Sequence, residues 1–364
     1  MRGAVIPYGE SIAGVCLNAT LPASAIPDMI TGSIGSRLPP WRCHMATVTE
    51  SVPTVKASVV RRSLSERIGV GRLLLYPAML YVIIVTQIPF ILTIYYSFRN
   101  YLLNRPDRDG WAGLSNYQRL WDQIRDTNSA FFAALINTVV LTAGSVILAV
   151  IVGLIFAELV NHRFPGRAIV RTLLITPFLI MPAAAALSWK NLLYNPNFGF
   201  LDWFSSSTLP GSPAPNWLGD YPVASIMIYL VWRWAPFMML IFLAGMGSIS
   251  EEVREAARMD GATAWEEFRS ITLPHLRRFF MLGSLLGTVY IFQDFDPIYL
   301  MTQGGPGNES TNLSFLVYRT AVSGSNYGFA SAIGVVTVIL SIIAVTYLVR
   351  LLSKVFEGEL SDGR

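Results

Sequence analysis

Residues 250–276, Ser-Glu-Glu-Val-Arg-Glu-Ala-Ala-Arg-Met-Asp-Gly-Ala-Thr-Ala-Trp-Glu-Glu-Phe-Arg-Ser-Ile-Thr-Leu-Pro-His-Leu, are polar and helix-shaped yet lie between two long apolar segments. Ser250 can cap a helix whose first turn carries Glu251 and Glu252, where carboxylates oppose the positive end of the helix dipole. Glu255, Ala256 and Ala257 supply strong helix formers until Gly261, which suits the left-handed position that ends a helix. Thr263 with Glu266 reads as a capping box opening a second, short helix that carries Trp265 and Phe268 and is predicted to end or kink around Pro274. The product is a helix, a tight turn and another helix, a small convex knob. A chain that holds so structured a polar loop between membrane segments is built to address a soluble partner.

The flanks fix the class. Charged residues make up 14% of the chain and hydrophobic ones 53%, against about 25% charged in an average soluble domain. Six apolar segments follow a long preamble, approximately Leu73 to Phe98, Phe131 to Ala157, Thr172 to Trp189, Val223 to Ile249, Phe279 to Met301 and Phe329 to Val349. Each is near the ~20 residues that cross a bilayer core, so the expected fold is an all-α integral membrane protein with six transmembrane helices. Pro77, Pro89, Pro177, Pro182 and Pro236 lie within these segments, and kinks are expected there. Residues 1–66, rich in Pro, Ser, Gly, Ala and Thr without periodicity, read as a disordered tail. Neither a signal peptide nor a lipoprotein site is evident near Ala13-Gly14-Val15-Cys16, and Met45 opens a more basic leader at which translation can start. The six-span domain is expected over residues 67–356, its polar loop over 250–275 and a short tail over 357–364.

Lys and Arg counts set the orientation. Of 27 such residues, nineteen fall in pieces that are cytoplasmic if the N-terminus is inside. Seven fall outside (Arg99, Arg105, Arg108, Arg119, Arg125, Lys190 and Arg319), and Arg233 lies within the fourth segment. That bias predicts two cytoplasmic termini and a cytoplasmic knob, in the cell membrane.

Little supports an enzyme. The chain contains no G-x-x-x-x-G-K-[ST] loop to cradle phosphates, no H-E-x-x-H and no G-x-S-x-G, and only three histidines. Cys16 and Cys43 form no C-x-x-C pair and suggest neither disulfide nor metal site. No cofactor is expected. The net charge of +4 comes without basic runs interleaved with aromatics, so nucleic acid is not an expected partner.

Intramembrane charges are the better lead, since an ionisable group near the bilayer centre costs ~2.5–3.5 kcal/mol on insertion scales. Arg233 and Asp294 sit at predicted depths of ~16 and ~12 Å from the outer ends of segments four and five, close enough to meet. Two roles fit such a pair: a static lock between two helices, or the lining of a solute path. Tyr290, Phe292, Gln293 and Asp296 surround the acid with aromatic faces and hydrogen-bonding groups, a mixture suited to a polyhydroxylated ligand, although aromatics at helical spacing are also ordinary core.

The order E-A-A, three residues, G, nine residues, I-x-L-P, carried by Glu255, Ala256, Ala257, Gly261, Ile271, Leu273 and Pro274, resembles the cytoplasmic signature of importer-type ABC permeases, which have the type I importer fold. Gly113-Leu114-Ser115-Asn116-Tyr117 and the T-x-G-G-P-G run at Thr302 to Gly307 resemble the carbohydrate subgroup typified by maltose and glycerol-phosphate permeases. The runs Ile175-Thr176-Pro177-Phe178, Met181-Pro182, Trp189-Lys190-Asn191-Leu192, Ile271-Thr272-Leu273-Pro274-His275-Leu276 and Ser310-Thr311-Asn312 look closer to sorbitol and mannitol permeases.

The resemblance implies that the knob, with Asp260 beside the matching residues, couples to separate ATP-binding subunits. Glu255 would orient it through local hydrogen bonds, Gly261 would permit its turn, and Ala256 and Ala257 would allow close approach. It also implies a second, similar permease subunit, an extracytoplasmic solute-binding lipoprotein that docks near the Thr302 to Gly307 run, a sugar or polyol substrate, and membrane lipid around the helices. In maltose permeases, positions matching Gly287, Tyr290, Ile291 and Asp294 hold sugar. Here Ile291 and Asp294 stand where the pattern has Asn, which points to a different, smaller solute. A proton-driven secondary transporter is the competing class, but six spans without an evident inverted repeat do not favour it, and a scaffold without transport would have no use for the charged, aromatic fifth span.

Overall fold

The computed structural model describes residues 64–105, 107, 109–162, 164–208 and 215–361. The expected tail, Met45, Cys16 and Cys43 lie outside them, apart from the first residues of the opening helix. The described elements are all helical: α1 (Leu64–Ser97), α2 (Ser115–Arg125), α3 (Ala130–Asn161), α4 (Arg167–Leu179), α5 (Pro182–Ser188), α6 (Phe200–Thr208), α7 (Trp217–Asp220), α8 (Pro222–Met246), α9 (Glu251–Met259), α10 (Ala264–Glu267), α11 (Leu273–Phe292), α12 (Leu313–Tyr318) and α13 (Tyr327–Ser361). Widened π turns, closed by i→i+5 bonds, extend α5, join α10 to α11, precede the loop at Gln303 and follow α12.

The centre of the bundle is the pairing of α3 with α8. Ala149, Ala157 and Val160 of α3 are fully buried against a core that includes Ile226, Tyr229, Met238, Met239 and Phe242 of α8 and Leu276 and Ile291 of the α11 segment. Gly153 sets the approach: a Cβ there would lie 2.5 Å from Met238 Cβ and 2.9 Å from the Ala235 carbonyl oxygen. Small residues let membrane helices come this close, where dispersion rather than water exclusion holds them together. A second cluster forms where Phe131 and Ala134 of α3 meet Phe292, Leu313, Phe329 and Ile333. By contrast α1, which packs on α13, is exposed along most of its apolar length, Leu75 to Leu92. In water such a surface would aggregate; it is the surface of a helix that faces lipid or another subunit.

The six expected segments all coincide with helix, with two corrections. Among the described residues four helices are long and apolar enough to span a bilayer, or five if the bent pair Arg167–Leu179 and Pro182–Leu193 counts as one. The predicted third span is therefore not a kinked rod but two pieces at 99°. Ile180 and Met181 are extended, the conformation forced on a residue ahead of a proline, and Pro182 opens the next helix. Pro77, Pro89, Pro177 and Pro236, in contrast, lie inside continuous helix.

The predicted fifth span is the one that fails the apolar test. Its helix α11 begins with His275, Arg277 and Arg278 near the N-terminal end and stops at Phe292, nine residues short of the expected end at Met301. Pro297 lacks the N–H that a continued helix would donate to the Gln293 carbonyl, and the next carbonyl, that of Asp294, accepts from Asn312 Nδ2 at 2.7 Å.

Candidate functional site

The polar loop folds as predicted in outline. α9 ends in a Schellman turn: Gly261 adopts φ +83°, its N–H donates to the Arg258 carbonyl at 3.1 Å, and the Ala262 N–H donates to the Ala257 carbonyl at 3.0 Å. Thr263 then caps α10 with a complete capping box. The Glu266 N–H donates to Thr263 Oγ1, and the Thr263 N–H donates back to the Glu266 carboxylate at 2.7 Å. That backbone bond, followed by the bond from the Thr263 hydroxyl, holds the exposed Glu266 carboxyl below its usual range.

Three details differ from expectation. Ser250 occupies the N-cap position, but its side chain caps nothing. Pro274 neither ends nor breaks the second helix. The π turn Phe268–Thr272 comes just before it and leads directly into α11, of which Pro274 is the second residue. Glu255 is exposed and makes no hydrogen bond or ion pair among the described residues. The residue that ties the knob together is Glu267, which the sequence reading missed: its carboxylate pairs with Arg258 at 3.4 Å and, at 4.0 Å, with Arg254, whose guanidinium also donates to the Met246 carbonyl at the end of α8. The signal was present as an acidic residue nine positions after Arg258, but only the Schellman turn folds that spacing back on itself.

Of the remaining coupling candidates, Ala256 and Asp260 are exposed, Ala257 and Ile271 half-buried, and Leu273 and Pro274 exposed near the start of α11. The knob has an exposed apolar surface: Trp265, 66% exposed, stacks on Phe268, and beside these two expected aromatics Met259, which sequence reasoning did not single out, is 87% exposed.

At the far end of α11 the membrane candidates divide. Arg233 Nη1 meets Asp294 Oδ2 at 3.4 Å, with both side chains largely buried. Tyr290 joins them, 58% exposed and stacked at 5.5 Å on Trp234. These residues, with Gln293, Phe295 and Asp296, line a cavity of about 310 Å³. Gly287 and Ile291 do not. Gly287 is buried against Met238, and Ile291 is in the core, so the α11 face that carries them serves packing. Asp294 sits not inside a helix but at the break following Phe292, where the chain's own irregularity turns its carboxylate toward Arg233.

The Gly-rich run beyond is tied down from within. Ser310, Thr311 and Asn312 are buried, Ser310 Oγ donating to the Gly305 carbonyl and Thr311 Oγ1 to that of Gly304. Gln303, Pro306, Gly307 and Glu309 remain exposed. Asn116 of the Gly113-to-Tyr117 run likewise serves the fold, since its side-chain amide donates to the carbonyls of Ser97 and Arg99 and fixes the end of α1.

An all-α fold with several helices apolar enough to span a bilayer, an ordered polar knob and a paired charge at a helix break is that of a multi-pass membrane protein. Residues 149–359 match the family described as "Binding-protein-dependent transport system inner membrane component", and the chain belongs to that family. It is 35% identical over 297 residues to a probable ABC transporter permease of Sinorhizobium fredii, covering 80% of this chain and 93% of that one. It is 34% identical over 273 residues to the trehalose/maltose transport system permease MalF of Thermococcus litoralis, covering 74% and 89% respectively. Among solved structures, a bacterial ABC transporter involved in alginate import superposes with a TM-score of 0.67 at 21% identity, over 79% of this chain and 96% of that one. The chain is thus a permease, a non-catalytic subunit of an ABC transporter.

Proposed function

We propose that this permease carries a neutral sugar or polyol, of sorbitol or mannitol size, into the cell as part of an ATP-driven importer. The observation that carries the reading is the knob: an ordered polar elbow that offers Met259 and Trp265 to water is a docking element for a cleft on a soluble subunit. In this reading that subunit hydrolyses ATP, a second permease faces the exposed side of α1, and an extracytoplasmic binding protein delivers solute near the Gly-rich run. Both termini are cytoplasmic. All six segments cross the membrane, α11 together with the turns as far as Met301 forming the fifth and the bent pair the third.

Several observations support the solute class. The relatives are named for trehalose, maltose, diacetylchitobiose and starch products. The cavity at Arg233, Tyr290 and Asp294 combines stacked rings with charged hydrogen-bonding groups, and its 310 Å³ is at the small end of the ~300–1,000 Å³ range for ligand pockets. The polyol reading rests besides on the sequence runs shared with such permeases.

The test is reconstitution of the permease with its cognate subunits in vesicles and measurement of ATP-driven uptake across neutral monosaccharides, disaccharides and hexitols. Uptake of a neutral member of the panel, abolished by replacing Met259 and Trp265 together with Asp, is the expected result. Co-purification of an ATPase that survives this double change would exclude the knob as the docking element.

A further inference from the structure

The cavity that holds the Arg233–Asp294 pair contains a carboxylate that the pair does not account for. Asp296 lines it, half-buried, and makes no hydrogen bond or ion pair among the described residues. Arg233 is the cavity's cationic residue, and its charge already faces Asp294 at 3.4 Å. One guanidinium against two carboxylates leaves the cavity with a surplus negative charge. Two buried donors are also unused: Arg233 Nε and the indole N–H of Trp234, a residue only 6% exposed, have no partner. Unpaired buried donors are costly, and with no surface of their own these two are reached by a solute hydroxyl only when neighbouring side chains move.

We propose that Asp296 sets the charge selectivity of this path: it admits neutral polyhydroxylated solutes, tolerates amino sugars, and rejects uronates and sugar phosphates. The inference rests on the solute-path reading given above. An anionic solute could be paired only by drawing Arg233 away from Asp294, which would leave two carboxylates and the solute's own charge with a single cation. At an effective dielectric near 20, a unit charge ~6 to ~12 Å away changes affinity by about tenfold to a hundredfold. A neutral hydroxyl compound feels none of this and gains the exposed ring of Tyr290, which is held by stacking on the buried Trp234.

Because a binding protein filters solutes before they reach the membrane, the experiment uses the assembled permease–ATPase complex without it. Equilibrium binding of radiolabelled mannitol, glucosamine and glucuronate is measured for the wild type, Asp296→Asn and Asp296→Glu. The wild type is expected to bind mannitol and glucosamine and to bind glucuronate at least about tenfold more weakly. Asp296→Asn should close that gap, while Asp296→Glu should keep it. If mannitol binds and the mannitol-to-glucuronate ratio is the same in Asp296→Asn, the charge rule is overturned and the solute path stands. If the wild type binds none of the three while hydrolysing ATP, the path reading falls and the charge rule falls with it.

Discussion

Gly261 offers the sharpest handle on the knob. Its φ of +83° belongs to the left-handed region, and a Cβ placed on it would meet nothing within 4 Å. A substitution therefore carries no steric cost against neighbours, only the backbone cost of holding an L-residue there, about 1–2 kcal/mol and toward the upper end for a β-branched side chain. At 1.36 kcal/mol per factor of ten, Gly261→Val should reduce the population of correctly turned knob by roughly ten- to thirtyfold. The bundle should remain folded, because its core is built by α3 and α8, away from the turn. Asn visits the left-handed region more readily than other residues, so Gly261→Asn should lose at most a few-fold. The assay is solute uptake per ATP hydrolysed in vesicles containing the complete transporter, with the amount of assembled complex as control. A wild-type ratio in Gly261→Val, at normal assembly, would refute the claim that this turn transmits the stroke.

Three further outcomes follow from the geometry. Asp294→Asn leaves Arg233 buried without its counter-charge and should lower the yield of folded protein and its Tm in detergent, whereas the charge-neutral pair Arg233→Gln with Asp294→Asn should restore most of both, since removing one member of a buried pair costs about 3–5 kcal/mol and removing both costs far less. Gly153→Leu, facing Met238 Cβ and the Ala235 carbonyl, should push α3 from α8 and abolish a monodisperse peak on size-exclusion chromatography; normal elution with unchanged Tm would contradict the close crossing. Thr263→Ala should cost the knob about 1 kcal/mol by removing the cap. In the unaltered chain the Glu266 carboxyl is held low, so the box contributes above the ordinary glutamate value of ~4.3 and is lost as pH falls through the lower folded value. Pulse-labelled amide exchange at Thr263, whose N–H donates to that carboxylate, should therefore rise below about pH 4 and not between pH 5 and 8.

Sequence patterns identified the helices well where a single local rule decided them. The left-handed glycine, the capping box and four of the apolar spans were legible because each depends on neighbours within a few residues. Most of the misreadings share one cause, a proline or charge whose effect depends on what lies beside it in space. Pro182 breaks its span while Pro236 does not, and the difference is whether the flanking residues stay helical. Arg233 and Asp294 were paired correctly from depths that assume a continuous fifth helix, because the break after Phe292 keeps Asp294 at the same end of α11. Glu267 was invisible as a clamp until the turn at Gly261 brought Arg254 and Arg258 alongside it. Gly287 and Ile291, placed in the path by resemblance, are claimed by packing against Met238 and the core.

The uninterrupted course from Thr263 through the π turn into α11 has a mechanical consequence. About 29 residues at ~1.5 Å each make a shaft some 40 Å long, with Trp265 at one tip and Asp294 just beyond the other. To the extent that it moves as one body, a tilt of about 10° about its midpoint displaces both tips by about 4 Å in opposite directions. Leverage at one bilayer face is thus felt directly at the Arg233–Asp294 contact, with no relay of side chains in between.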